Sequence, residues 1–337
     1  MSSFRHALTR AWLSRGPLAC LLWPVSAVYG VLVWLRQMLY RFGLLKAQRL
    51  PVPVIVVGNV LVGGVGKTPV VMALVQHLTK RGLRVGVLSR GYGRTTHDVR
   101  AVLPNSRAQD VGDEPLLIAQ TCAVPVWVGS DRASAGRALL DQHPEVQVLV
   151  CDDGLQHLAL AHDLALCVFD ERGVGNGWLL PAGPLREAWP RRHAAPTWVV
   201  KTSGVAATAE FAAQRQLAHF ARRADGSTQE LHTWKNQPVQ ALAGIAKPEV
   251  FFEMLRGQGL TLSHTHALAD HADLNDVRLD QRAGDVLCTE KDAVKLWHAY
   301  PQAWAVPLIT QLPTDLLAAI DQALDAKLSS LHGLQTH

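Results

Sequence analysis

The sequence predicts an α/β protein: a parallel sheet with helices on both faces, a second and smaller α/β domain, and an N-terminal membrane-associated helix. Three observations predict it. After residue 50, short apolar β-branched runs alternate with helical periodicities. One of those runs, Val54–Val57, opens into a glycine-rich turn and then a helical pattern. Ahead of it, residues 16–35 carry no charge at all.

The uncharged stretch, Gly16 to Leu35, could as a helix cover a hydrocarbon core of about 30 Å. Arg5, Arg10 and Arg15 precede it; Arg36, Arg41, Lys46 and Arg49 follow it. Trp12, Trp23, Trp34 and Tyr40 suit the membrane interface. Pro24, Ser26 and Gly30 weaken the helix, so one lying in the interface fits as well as one that spans. No small-residue cleavage site follows it cleanly, which argues against a cleaved signal peptide. Residues 1–97 hold 13 Lys/Arg and no Asp/Glu, whereas the remaining 240 hold 20 basic and 28 acidic residues. An entirely basic N-terminal part suits an anionic surface. The apolar run, and the lack of an aromatic RNA-binding motif, favour a membrane surface over nucleic acid. Five scattered cysteines form no C-x-x-C pair; Cys151, Cys167 and Cys288 lie in apolar runs and read as core.

Val54 to Thr68 reads V-I-V-V-G-N-V-L-V-G-G-V-G-K-T. Strand, glycine turn, Lys-Thr and helix (Val70, Val71, Leu74, Val75, Leu78) fall in register as a phosphate cradle. Loop N–H groups and the positive helix end point at one spot, Lys67 reaches the terminal phosphates, and the Thr68 hydroxyl holds Mg²⁺. The nucleotide-contacting stretch is Leu61, Val62, Gly63, Gly64, Val65, Gly66, Lys67 and Thr68. The usual first glycine is Leu61 here. The string also resembles the loop of ParA/MinD-type ATPases, but their extra lysine is replaced by Val62.

Further strands are expected at Arg84–Leu88, Val99–Leu103, Pro125–Val128, Val146–Val150 and Leu164–Phe169, with helices over 67–81, 113–121 and 131–142. The punctuated run from Gly173 to Pro196 reads as a long functional loop leading to a boundary near 190–200. The expected division is 1–50 membrane-associated, 51–195 nucleotide-binding and 196–337 a second α/β domain completing the substrate cleft. Beyond it, strands are expected at Val239–Ile245 and Asp285–Cys288. Helices are expected at Pro248–Gln258, from near Lys291, and over Thr314–Leu331.

In parallel sheets the working loops lie at the strands' C-terminal ends, where the chemistry-bearing residues fall. An apolar strand runs into Asp152-Asp153-Gly154-Leu155-Gln156-His157, and two adjacent carboxylates make sense beside a cation. Gly112-Asp113-Glu114-Pro115 sits at a loop-to-helix junction. It reads as ordinary N-terminal capping or, next to a phosphate site, as a general base (Asp113) and a metal-sphere residue (Glu114). Arg90 and Tyr92 in Ser89-Arg90-Gly91-Tyr92-Gly93-Arg94, and Arg132 after Gly129-Ser130-Asp131, are substrate-binding candidates or plain surface groups. Asp270 beside His271 can orient and tune it for proton transfer. Thr289-Glu290-Lys291-Asp292 is not the guanine-reading N-K-x-D motif, which favours ATP.

G-N-V-L-V-G-G-V-G-K-T-P, S-R-G-Y-G-R, V-G-D-E-P, D-D-G-L-Q-H, L-L-P-A-G-P-L-R-E, the D-H pair and T-E-K-D occur in this order. Together they resemble the tetraacyldisaccharide 4′-kinase family of lipid A biosynthesis, from the apolar N-terminus to about residue 300. Leu61 agrees with that family. The resemblance implies a membrane-associated P-loop kinase that uses ATP and Mg²⁺. Its acceptor is the 4′-hydroxyl of a tetraacylated glucosamine disaccharide 1-phosphate, a lipid A precursor. Asp113 would accept the hydroxyl proton with help from His271 across the cleft, and Lys67 and Asp153 would complete the catalytic set. Thr68, Asp152 and Glu114 would serve Mg²⁺; Arg90, Tyr92, Arg132 and Asp270 would contact substrate. The partners implied are the lipid and a membrane surface, with no nucleic acid and no obligate protein. The place implied is the cytoplasmic face of the inner membrane. A membrane-recruited ATPase switch of the ParA/MinD type is the alternative.

Overall fold

The computed structural model describes residues 8–190, 195–204, 210–270, 277–279 and 284–335. In chain order the elements are α1 (Pro17–Arg41), β1 (Val54–Gly58), α2 (Lys67–Lys80), β2 (Val85–Ser89), α3 (Asp113–Cys122), α4 (Arg132–Gln142), β3 (Val148–Asp152) and β4 (Leu164–Phe169). They continue as β5 (Thr197–Lys201), β6 (Pro238–Ala243), α5 (Pro248–Gly257), β7 (Thr261–Ala267), β8 (Val286–Thr289), α6 (Glu290–Leu296), β9 (Trp304–Val306) and α7 (Thr314–Gln335). Two compact units result. Met1–Ser89, Asp131–Gln214 and Leu312–His337 make the first; Arg90–Ser130 and Arg215–Gln311 make the second.

The first unit is built on parallel strands in the order β2-β3-β1-β4-β5, continued by the short strand Phe211–Ala212. Every residue of β1, β3 and β4 is buried, as strands covered by helices on both faces require. Helix α2 buries Val70, Val71, Leu74, Val75 and Leu78 on one stripe. Helix α7 buries Leu316, Ile320 and Leu324. It also fastens the end of α2: His77 Nε2 lies 2.9 Å from Asp321, and Arg81 reaches Asp321 and Asp325, each at 2.9 Å.

Helix α1 starts with Pro17 in its first turn, where a missing N–H costs nothing. Its 25 residues give a length of about 37 Å. It is the one described helix long and apolar enough to cross a membrane. Only Ala19 and Ser26 are buried, while Leu21, Val28, Val31, Leu32 and Trp34 are exposed.

The second unit's main sheet runs Thr228–Glu230, Phe220–Arg222, β9, β8, β6, β7. Its first two pairings are antiparallel and the rest parallel. Trp234 and Trp304 meet edge-on at 5.3 Å over a core that includes Phe251, Phe252 and Leu255. Arg100–Ala101 pairs antiparallel with Val126–Val128 in the same unit. Strand β7, T-L-S-H-T-H-A, has no counterpart among the expected strands. It lies at the sheet's edge and buries none of its residues fully, so it carries no apolar run to read.

Candidate active site

The sequence places Gly66 ahead of α2 for a backbone reason. Gly66 is left-handed (φ +79°), which only glycine adopts freely, and it delivers the chain into Lys67. No side chain caps this helix start and no acidic residue occupies its first turn. Its N–H groups and the dipole's positive end are thus left to an anion. The loop is braced from three sides. Val62 N–H donates to Pro184 O (2.9 Å). Arg172 donates to Val62 O (3.1 Å) and Gly64 O (3.3 Å). Thr202 Oγ donates to Val65 O (2.8 Å). Leu61 is fully buried and bridges Leu185, so the position that is usually glycine serves here as an apolar anchor.

Lys67 is an almost buried cation whose side chain is 12% exposed. Its Nζ lies 3.5 Å from Asp153 Oδ1 and donates to Asn59 Oδ1 at 3.2 Å. Register explains the meeting: Val57 of β1 pairs with Asp152 of β3, and the next residue, Asp153, donates its N–H to Val57 O (2.8 Å). Asp153 takes a positive φ of 50° at this turn. Burial pushes its carboxyl up, but Lys67 and Arg186 (Nη1 to Oδ1, 3.2 Å) outweigh that and hold it below the usual carboxylate range. Asp152 is buried, with the Ser89 hydroxyl 3.4 Å from Oδ2. Thr68 is buried one residue past Lys67.

The second unit holds a separate acid–base cluster. Gly91 (φ +67°) and Gly112 (φ +94°) approach so closely that a Cβ on Gly112 would sit 3.0 Å from Gly91 Cα. Only glycine permits this, and it sets the S-R-G-Y-G-R loop against the turn that starts α3. Asp113, first residue of α3, is nearly buried and accepts an ion pair from Lys295 Nζ at 3.0 Å. Glu114 faces Lys291 Nζ at 3.5 Å, and Lys291 also pairs with Asp270 at 2.9 Å. Both lysines lie on one face of α6, four residues apart. Burial works to lower the Lys291 pKa, but Glu114, Asp270 and Asp113 more than reverse it and raise it. Thr289 caps α6 by accepting from Asp292 N–H (3.2 Å), so T-E-K-D is a helix start that aims two cations at α3.

The structure thus gathers Lys67, Thr68, Asp152 and Asp153 in the first unit, and Asp113, Glu114 and Asp270 in the second. Arg90 and Tyr92 are exposed on the second unit's glycine loop. Arg132 is buried beside the Cys151 thiol, which desolvation drives up to about 12 and so out of nucleophilic use. His271 lies outside the described residues. Sequence reasoning gave no role to Asn59, Gln156, Arg172, Arg186, Glu187, Lys291 or Lys295. Arg186 and Glu187 had a signal in the L-R-E end of the punctuated loop. Lys295 had one in its four-residue spacing from Lys291.

The family model described as tetraacyldisaccharide-1-P 4′-kinase matches residues 18–325. A tetraacyldisaccharide 4′-kinase from Acidovorax sp. (strain JS42) is 54% identical over 98% of this chain and 96% of its own. One from Polaromonas naphthalenivorans (strain CJ2) is 52% identical over 98% and 99%. Among solved structures, LpxK from Aquifex aeolicus in complex with ATP superposes with a TM-score of 0.78 at 30% identity, covering 91% of this chain and 99% of that one. With matches spanning nearly its whole length, the chain belongs to the tetraacyldisaccharide-1-P 4′-kinase family.

Proposed function

We propose that this chain transfers the γ-phosphoryl group of ATP to the 4′-hydroxyl of a tetraacylated glucosamine disaccharide 1-phosphate, at the cytoplasmic face of the inner membrane. One observation carries the reading: a nearly buried lysine, held between Asn59 and Asp153, at the uncapped start of α2. The donor set fits a Mg²⁺-bound triphosphate, with loop N–H groups and Lys67 for the phosphates, and the Thr68 hydroxyl with the Asp152 carboxylate for the cation. Bound MgATP supplies the phosphoryl group and part of its charge neutralisation.

The chain's own residues do the rest. Lys67 neutralises charge that grows on the phosphoryl oxygens. Arg186 and Lys67 keep Asp153 ionised and fixed in place, from where it would help to hold the cation. Asp113 accepts the proton of the sugar hydroxyl, and His271 assists it. Lys295 holds the Asp113 carboxylate in one orientation. Exchanging Lys295 for Met lowers kcat about ten-fold and leaves the ATP KM unchanged, the scale of one charged hydrogen bond; steady-state kinetics with varied ATP check this.

The exposed apolar face of α1 enters the membrane, so the acyl chains stay in lipid while the sugar head meets the site. Replacing Leu21, Val28 and Leu32 together by Ser reduces partition onto anionic lipid vesicles by more than about 100-fold while ATP binding is retained. Co-sedimentation and nucleotide titration measure the two. The direct test is incubation with labelled ATP and a panel of lipid A precursors, with mass spectrometry of the products. A phosphate added at the 4′ position is expected; labelled phosphate released to water, with no lipid product, would overturn the assignment.

A further inference from the structure

The exposed side of α1 draws the eye to the membrane, but its other side reaches the phosphate site. Ser26, Tyr29, Gly30 and Gln37 form one stripe along the helix. Ser26 Oγ donates to Leu179 O (2.8 Å) and accepts from Ala182 N–H (2.8 Å). A Cβ on Gly30 would meet the Leu179 side chain at 2.9 Å. The stripe is therefore docked on the loop that ends in Arg186 and Glu187, while Leu21, Val28, Leu32 and Leu35 face away from it and are exposed.

Two chains of hydrogen bonds and ion pairs lead from this stripe to the same ammonium group. On one, the Tyr29 hydroxyl donates to Arg186 O (2.7 Å), the Arg186 guanidinium donates to Asp153 (3.2 and 3.3 Å), and Asp153 faces Lys67 (3.5 Å). On the other, Gln37 Nε2 donates to Glu187 Oε2 (3.1 Å), and Glu187 Oε1 accepts from Gln156 Nε2 (2.7 Å). Gln156 Nε2 also donates to Asn59 O (3.0 Å), and Asn59 Oδ1 accepts from Lys67 (3.2 Å). Glu187 is buried, and its carboxylate accepts from both of these amides.

We propose that α1 is part of the phosphate site as well as a membrane anchor: Tyr29 and Gln37 are positioning residues that set Arg186 and Glu187 and, through them, Asp153 and Lys67. One helix then presents an apolar face to lipid and a polar stripe to the reaction centre. The seat of the helix on the loop is thereby linked to the lysine that meets the nucleotide. The inference rests on the kinase reading above, in which Lys67 and Asp153 act on the phosphates.

The test is a double-mutant cycle on the full-length enzyme, with the lipid substrate in mixed micelles. Tyr29→Phe removes one hydroxyl and keeps the ring. It is expected to lower kcat about five-fold, the rate equivalent of one ordinary hydrogen bond. The ATP KM, the melting temperature and vesicle co-sedimentation are expected to stay at the parent values. In an Arg186→Ala background the same substitution is expected to have almost no further effect, because its route is already cut. Gln37→Leu supplies the matching test for the second route, with Gln156→Leu as its background. An equal fold-loss in both backgrounds, an undiminished kcat, or a loss that follows vesicle binding would overturn the inference. The kinase reading fails by a different result, namely transfer that survives Lys67→Ala.

Discussion

Lys67→Ala abolishes phosphoryl transfer: kcat falls by about 10³-fold or more, equivalent to about 4 kcal/mol of transition-state stabilisation. The size follows from placement. The ammonium is nearly buried and held by Asn59 and Asp153, so its orientation is fixed before the nucleotide arrives. Charge that develops on the phosphoryl oxygens meets a cation that needs no reorganisation. The backbone cradle survives the change, because its braces come from Pro184, Arg172 and Thr202. Nucleotide affinity therefore falls less than turnover. Asp153 keeps Arg186 as a partner, so the fold is retained. Transfer of labelled phosphate to the lipid, with nucleotide titration alongside, measures both. Turnover within ten-fold of the parent enzyme would remove Lys67 from the mechanism.

Asp113→Asn has the second largest effect. It keeps the side-chain shape, removes the proton acceptor and lowers kcat by about 10²–10⁴-fold. ATP binding stays intact, since the phosphate cradle is built from first-unit residues. The substitution also leaves Lys295 facing a neutral amide in a nearly buried setting, which destabilises the second unit. Pairing it with Lys295→Met separates the two effects. The double variant recovers the melting temperature and stays inactive. Recovery of activity together with stability would mean that Asp113 matters only as the counter-charge of Lys295.

The phosphate site was legible in the sequence because its parts are local. Strand, glycine turn, Lys67 and Thr68 are contiguous, and their periodicities mark β1 and α2 within a residue or so. Asp152-Asp153 was legible as a strand end. Arg186, which completes the electrostatics of Asp153, was not, because 33 residues separate the two and no spacing rule joins them. The roles of Lys291 and Lys295 were hidden for the same reason: α6 meets α3 only through the tertiary fold. Edge strand β7 lacked the burial that writes an apolar pattern. The composition of the unit sheltering Lys67 was also out of reach. It draws on three separate stretches of chain, and proline and glycine punctuation shows where a chain turns, not where it returns.

That return has a consequence for biogenesis. Leu316, Ile320 and Leu324 of α7 fill the first unit's interior, and Asp321 and Asp325 grip the tail of α2. The ribosome has therefore made every residue of the second unit before it supplies the helix that finishes the first. Until then the first unit lacks the three apolar side chains that α7 adds to its interior, and His77 and Arg81 lack their carboxylate partners.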